Sequence, residues 1–278
     1  MRRALNEIEL KIFGQPARLS TDDPSVTGVL SACYSAFLRP IEDANATPVE
    51  IRVTRGAADS EWSVSHRDEH VTCRDLADLI YFVEKMLTIE LQHRRPDLFF
   101  LHAAALSANG RSVMIIGESG AGKSTLCWDL CNAGLSYMSD ELAPINLESM
   151  EVAPYPHAIC LKRIAEHMPA LPEETIITEA TFHIPAEAIP GGVERVPSAI
   201  DMIVFLQLPD DHDAPRLTEM PRSEAAARFY SNGLNQLAHA RDGLQAATKL
   251  AAAGRCFTLA RGKLSDMRSE VIRGIGLT

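Results

Sequence analysis

This chain has no apolar run near the ~20 residues that a membrane-spanning helix requires, and its opening MRRALNEIELK lacks the apolar segment of a signal peptide. A cytoplasmic protein without membrane contact is the expectation. Positive charge is scarce: 27 Lys and Arg stand against 37 Asp and Glu, a formal net charge of −10. That balance excludes a general nucleic-acid binder, which needs a basic surface to neutralise phosphates, although an acidic chain can still hold a local basic site. Cysteine makes no metal or disulfide pattern. No C-x-x-C pair occurs; Cys33, Cys73, Cys160 and Cys256 stand singly, and Cys127 and Cys131 lie four apart on one helical run, so all six read as buried small hydrophobes. The nine histidines contain no H-E-x-x-H, and zinc is not expected. Internal repeats and low-complexity tracts are missing as well.

What is present is the composition of an ordinary globular protein: 278 residues, 46% hydrophobic and 23% charged, enough for one large or two modest domains. Two textures divide it. Residues 1–97 mix short alternating segments, IELKIFG, VEIRVTR and EWSVSH, with a helical run RDLADLIYFVEKMLTIELQHR that ends before Pro96, and predict a small α+β domain. Residues 98–278 have the pattern of an α/β domain. LFFLHAAALSANGRSVMIIG predicts two strands joined by an Asn109-Gly110 turn. LAPINLESMEVAPYPHAICLK and AIDMIVFLQL predict further strands, and the alanine-rich run from Arg222 to Gly254 predicts a helix in two pieces around Gly233. A strand CFTLAR and a helix from about Ser265 close the chain.

Chemistry concentrates in GESGAGKST, residues 117–125, which satisfies G-x-x-x-x-G-K-[ST]. Gly117, Gly120 and Gly122 permit a tight turn whose N–H groups point inward at a polyphosphate, with Glu118, Ser119, Ala121 and Thr125 as the rest of the nucleotide-binding stretch. Lys123, an exposed loop lysine, reaches the β- and γ-phosphates, and the Ser124 hydroxyl can ligate Mg²⁺. The context agrees. RSVMIIG upstream has the β-branched apolar residues of a buried strand, and STLCWDLCNAG downstream carries Leu126, Leu130 and Ala133 in a helical stripe stopped by Gly134. The helix N-terminus adds partial positive charge where phosphates would sit. ATP and Mg²⁺ are the expected cofactors.

Asp140 and Glu141 follow in LSYMSDELAPI, at the end of an apolar segment that predicts a strand beside the one feeding the loop. A metal-ligating carboxylate or a base for an acceptor hydroxyl is needed in that place; a solvated turn is the plain alternative. Neighbours on a strand point to opposite faces, so the two acids are expected to do different work, Asp140 toward the metal with Ser124. Lys162, Arg163 and, after the Gly191-Gly192 hinge, Arg195 are cations able to neutralise developing charge or to hold an acidic acceptor. His102 in FFLHAAAL reads by itself as a hydrogen-bonded core histidine.

Taken together, LHAAALSANGRSVMIIGESGAGKSTLCWDLCNAGLSYMSDE resembles the core of HPr kinase/phosphorylase, and more nearly its shorter relatives, the HPr-kinase-related serine kinases. The resemblance covers residues 100–165 well: a His before the first strand, the G-E-S-G-x-G-K-S loop, an acidic pair at the matching distance, and PHAICLKR, similar to a P-x-S-L-K segment. It implies an α/β P-loop kinase core of the HPr kinase/carboxykinase-like type behind a small N-terminal α+β domain. It also implies that His102 and Glu141, with Asp140 beside them, serve the acceptor hydroxyl. The chain departs from the family in having Asp140-Glu141 where Asp-Asp is usual, and in lacking the E-x-R-G-x-G stretch. Reverse phosphorolysis and HPr as acceptor therefore do not carry over, and the choice of base between the two acids stays open.

The reading that follows is an ATP-dependent kinase. Lys123 and Mg²⁺ on Ser124 hold the triphosphate, and Glu141 or Asp140, oriented by His102, takes the proton of a hydroxyl, most simply a serine of a peptide or small protein. Two other readings stay open: a kinase of a small metabolite, and a nucleotide-binding regulatory protein with little turnover. A homo-oligomer is compatible with all three.

Overall fold

Residues 5–43, 45–56, 61–207, 214–241 and 243–277 are described by the computed structural model. Alternation builds the first sheet. Strands β1 (Asn6–Ile12), β2 (Gln15–Thr21), β3 (Val49–Arg55), β4 (Trp62–His66) and β5 (Glu69–Cys73) pair in that order. Ile8, Leu10 and Ile12 in β1 and Val49, Ile51 and Val53 in β3 face one side, where helices α1 (Pro24–Cys33) and α2 (Leu76–Arg94) cover them. Asp23 caps α1 by accepting the Ser25 N–H at 3.0 Å. β2, β5 and α1 are additions to the predicted elements; Pro16 blurs the pattern of β2 and Gly28 that of α1. His66 and His70 stand at H-x-x-x-H spacing, but they occupy the two arms of the β4–β5 hairpin rather than one face of a helix.

After Pro96 the chain enters a nine-stranded mixed sheet through β6 (Leu98–Leu101), β7 (Ala103–Ala108) and β8 (Arg111–Ile116). Helix α3 (Lys123–Asn132) follows, ended by Gly134 at φ 100, and then β9 (Ser136–Ser139), β10 (Ala143–Asn146) and β11 (Glu151–Val152). A small sheet of β12 (Ile159–Leu161), β13 (Ile176–Ile177) and β14 (Phe182–Ile184) lies apart. The large sheet resumes with β15 (Ser198–Gln207) and β16 (Leu217–Glu219), and after α4 (Arg222–Asn232) and α5 (Leu244–Ala253) it ends with β17 (Arg255–Ala260) and α6 (Leu264–Gly274). In β8, Met114 and Ile116 pack with α4 and α5, whereas Val113 and Ile115 pack with α3 and α6. Period-two burial on both faces makes the three layers.

Three expectations are corrected. LFFLHAAAL is broken at His102 into β6, which pairs β10, and β7, which pairs β8 and β9, so the run to Ile116 holds three strands. The cause is tertiary: the His102 N–H donates to Asn232 O and the Leu234 N–H to Phe100 O, so the chain after α4 enters the gap. The strand before the acids, β9, does not adjoin β8; β7 lies between them, and the parallel neighbour of β8 is β15. The alanine-rich helix does stop at Gly233, but its second piece begins only at Leu244. Leu208, at the predicted end of β15, and Asp242 lie outside the described residues.

The apolar core does not divide where the sheets change. Leu98, Phe100, Leu142, Tyr155 and Ala158 belong to the cluster under the first sheet, and Phe13 meets Phe100 and Tyr155 with ring centroids 6.0 and 5.6 Å apart. Among the described residues no helix is long and apolar enough to cross a membrane.

Candidate functional site

The shared core places one long side of α2 opposite the end of β8, and a cavity of about 840 Å³ opens there. Its inner wall is the loop between β8 and α3. Gly120 and Gly122 adopt φ 80 and 99, the left-handed region that suits glycine. Gly117 packs so tightly against β15 that a Cβ would stand 3.1 Å from the Ala121 and Leu206 side chains. The Ala121 N–H donates to Glu118 O and closes the turn. Ser119, Gly120, Gly122, Lys123, Ser124 and Thr125 line the cavity, while Gly117, Glu118 and Ala121 shape the turn behind it.

Lys123 differs from expectation. It is buried, 7% exposed, because its ammonium turns back to donate to Gly117 O at 2.9 Å and Glu118 O at 3.4 Å. Burial lowers its pKa, against the pull of Glu141 and Asp140. Lys162 reaches across from the end of β12 and donates to Ser119 Oγ at 3.0 Å.

The two acids lie just beyond β9, in a bend rather than on the strand, and they do face different surroundings. Asp140 is 2% exposed; its Oδ2 accepts the Cys160 N–H at 3.1 Å, and its Oδ1 is buried without a hydrogen-bond partner. Burial, and then the charge of Glu141, push it up to about 7, with the Cys160 N–H, Ser124 and Lys123 opposing. Glu141 opens to the cavity, and its Oε2 lies 2.9 Å from His102 Nε2. Burial would raise this carboxyl too, but the His102 hydrogen bond and the charges of His102, Lys123 and Lys162 outweigh it and hold the pKa below the usual range. Adjacent acids are thus driven apart, one toward keeping a proton and the other toward the carboxylate. The break between β6 and β7 is what lets His102 turn out to meet Glu141, so it is no core histidine.

Arg163 lines the cavity as well. Arg195 does not: it is exposed after β14 and pairs with Glu187 at 3.3 Å, away from the other predicted residues. Sequence reasoning missed four contributors. Cys160, partly exposed, lines the cavity with a thiol whose pKa is raised by burial. His183, held by Thr181 Oγ1 at 2.8 Å, is lowered to about 4 by burial. Glu84 on α2 is pushed up to about 8 by burial and by the fields of Glu141 and Asp140. His157, whose Nδ1 lies 3.4 Å from Glu84 Oε1, is lowered to about 3 by burial. Burial thus drives both members of that last contact toward their uncharged forms. None of the four is singled out by the sequence: Glu84 shares its apolar helical run with Glu90, which lies at the same core spacing.

No family model matches this chain, and no curated protein matches it. Among solved structures it is similar to the Hpr(Ser) kinase/phosphatase from Coxiella burnetii, at 12% identity and a TM-score of 0.36, over 63% of this chain and 95% of that one. Nothing about the present site follows from so slight a likeness.

The residues themselves fit a nucleotide with Mg²⁺. The Gly120 and Gly122 positions face open space, with nothing within 4 Å of an added Cβ, and the N-terminus of α3 lies beside them. Among the described residues no group of three or more His, Cys, Asp and Glu could hold a metal alone. Mg²⁺ characteristically takes one or two carboxylates together with phosphates and waters. The unpartnered Asp140 Oδ1 next to Ser124 is such a carboxylate oxygen.

Proposed function

We propose that the chain is a P-loop kinase of the HPr-kinase-like type that transfers the γ-phosphoryl group of ATP to a hydroxyl, most simply a serine of a peptide or small protein. The observation that carries this reading is the enclosure, in one cavity, of a glycine-loop lysine and a carboxylate held by a histidine. Bound Mg·ATP supplies the phosphoryl group and the divalent charge that neutralises it. Ser124 and Asp140 would hold the metal, and the loop N–H groups, Lys123 and Lys162 would hold the phosphates. Lys123 must leave the Gly117 and Glu118 carbonyls to do so, which is a rotation of its side chain alone. Glu141, kept ionised and oriented by His102, accepts the acceptor's proton at a carboxylate oxygen. The hydroxyl oxygen bonds to the γ-phosphorus as the bond to the β–γ bridging oxygen breaks, and ADP leaves. Because phosphoryl transfer is loose, positioning and charge compensation supply most of the acceleration. A weakly basic carboxylate suffices for a proton that moves late.

Incubation of the purified protein with γ-labelled ATP and Mg²⁺, against serine peptides and hydroxylated metabolites, tests the proposal. Label should move to a peptide hydroxyl. Lys123→Met should lower the rate by ~10²- to 10³-fold or more, with thermal unfolding used to verify that the fold survives. Unchanged turnover in the variant, or full turnover with all divalent metal chelated, would remove the loop from the reaction.

A further inference from the structure

The wall opposite the glycine loop belongs to α2. Ala77, Ile80, Tyr81, Glu84, Lys85 and Thr88 recur at spacings of three and four and all line the cavity, so one face of a helix from the first sheet is given over to it. Large apolar side chains stand open at this cavity: Tyr81 is 57% exposed, and Leu234, from the segment after α4, is 45% exposed. Exposed apolar groups at the mouth of a cavity are what a partner chain covers.

Charge narrows the partner. Among the described residues no carboxylate forms an ion pair with Lys85, Lys162 or Arg163. Lys162 is committed to the glycine loop through Ser119, whereas Lys85 leans over the Phe82 ring at 5.8 Å and Arg163 is exposed. The cavity also has two acids on its lining. Those two, Glu84 and Glu141, stand against four lining cations, Lys85, Lys123, Lys162 and Arg163. The uncompensated charge is therefore positive, in a chain whose formal net charge is −10.

We propose that the exposed face of α2, with Lys85 and Arg163 as its cations and Tyr81 and Leu234 as its apolar anchors, binds the phosphate acceptor, and that this acceptor is a peptide segment with acidic residues beside its hydroxyl. The proposal rests on the kinase reading and adds the acceptor's charge and the element that reads it. A peptide fits better than a metabolite because a small molecule seated beside the triphosphate would leave Tyr81 and Leu234 uncovered. Recognition by Lys85 acts across the cavity from the reacting acids, so it governs acceptor affinity and not the chemical step.

Two degenerate serine-centred peptide pools, one flanked by Asp and Glu and the other by Lys and Arg, test it on the full-length protein. Binding of each labelled pool is measured in the presence of a non-hydrolysable ATP analogue, and transfer is measured with Mg·ATP. The acidic pool should bind and react about tenfold better or more. Lys85→Glu should remove that preference, mainly through KM, and added salt should shrink it. Equal use of both pools, no binding of the acidic pool, or an unaltered preference in Lys85→Glu would overturn the proposal. Affinity for the ATP analogue separates the two levels. If the wild-type chain fails to bind it, the kinase reading has failed; if it binds and no charge preference appears, only the acceptor proposal falls.

Discussion

Glu84 and Glu90 sit on the same helix and meet opposite fates. Glu90, with a side chain 5% exposed, is gripped by Arg67 at 2.6 Å and Arg94 at 3.1 Å, with His66 at 3.5 Å. Burial would raise its pKa, yet the Arg94 bond and the Arg67 charge win and lower it. Glu84, nearer the N-terminus, finds no cation; its Oε1 is buried without a hydrogen bond and the pKa rises to about 8. The contrast extends to the two sheets. In the first, Asp23 is held down to about 2, because bonds from Ser25 and Trp62 and the charge of Arg55 overcome its burial. Beside the cavity, Asp140 keeps an unpartnered oxygen and is driven up to about 7. Acids that the fold has satisfied serve the fold. On the kinase reading proposed above, acids left under-satisfied around a cavity are the ones expected to meet a ligand.

The largest effect that can break this comparison is in the acid pair. Glu141→Gln should lower kcat by ~10²- to 10⁴-fold with nucleotide affinity near that of the wild type, while Asp140→Asn should in addition weaken Mg·ATP binding, read by calorimetry at varied Mg²⁺. If both variants kept wild-type rate and affinity, the cavity acids would be as structural as Glu90.

Glu90→Gln should act the other way, leaving nucleotide affinity intact while costing ~1–3 kcal/mol of stability in urea unfolding, as a buried charged hydrogen-bond network loses its centre. Because the folded-state pKa is depressed, this stabilisation is present above the unfolded carboxyl value near 4.5 and is lost as pH falls through the folded value. The gap between variant and wild type should therefore close in acid. A gap that stayed constant with pH would mean that packing, not charge, is what Glu90 contributes.

The most discriminating effect is expected at Glu84. Its folded-state pKa is raised, so its contribution is most favourable below pH 4.5 and is lost as pH climbs to about 8, where a buried carboxylate must form. Glu84→Gln carries no such charge. Its melting temperature relative to wild type should rise between pH 5 and pH 8.5, by roughly 2–4 °C for each kcal/mol relieved. A pH-independent difference would show that Glu84 is solvated or paired, and the two glutamates would cease to differ.

Much of this was legible locally. The Asn109-Gly110 turn, whose residues take φ 53 and 74, follows from two residues that tolerate left-handed backbone; the end of α3 at Gly134 follows from the same freedom. The glycine loop between a buried strand and a helix was legible because its spacing is contiguous. His102 was not. Within FFLHAAAL it has the look of a core residue, and only the entry of the chain after α4, more than a hundred residues on, opens the strand there and turns the ring to Glu141. The position of β9 was illegible for a similar reason, since apolar strands carry no mark of which neighbour they will choose.

By itself the sequence determined most of the elements, the turn chemistry and the glycine-loop spacing, because each depends on residues that are neighbours in the chain and on backbone freedom that a glycine or proline sets alone. Tertiary structure decided the charge states and the far wall of the site. Whether Lys123 is exposed, whether Glu84 or Glu90 is ionised, and which helix faces the loop all depend on burial and on charges brought from distant segments, and desolvation is a property of the packed molecule that no local pattern contains.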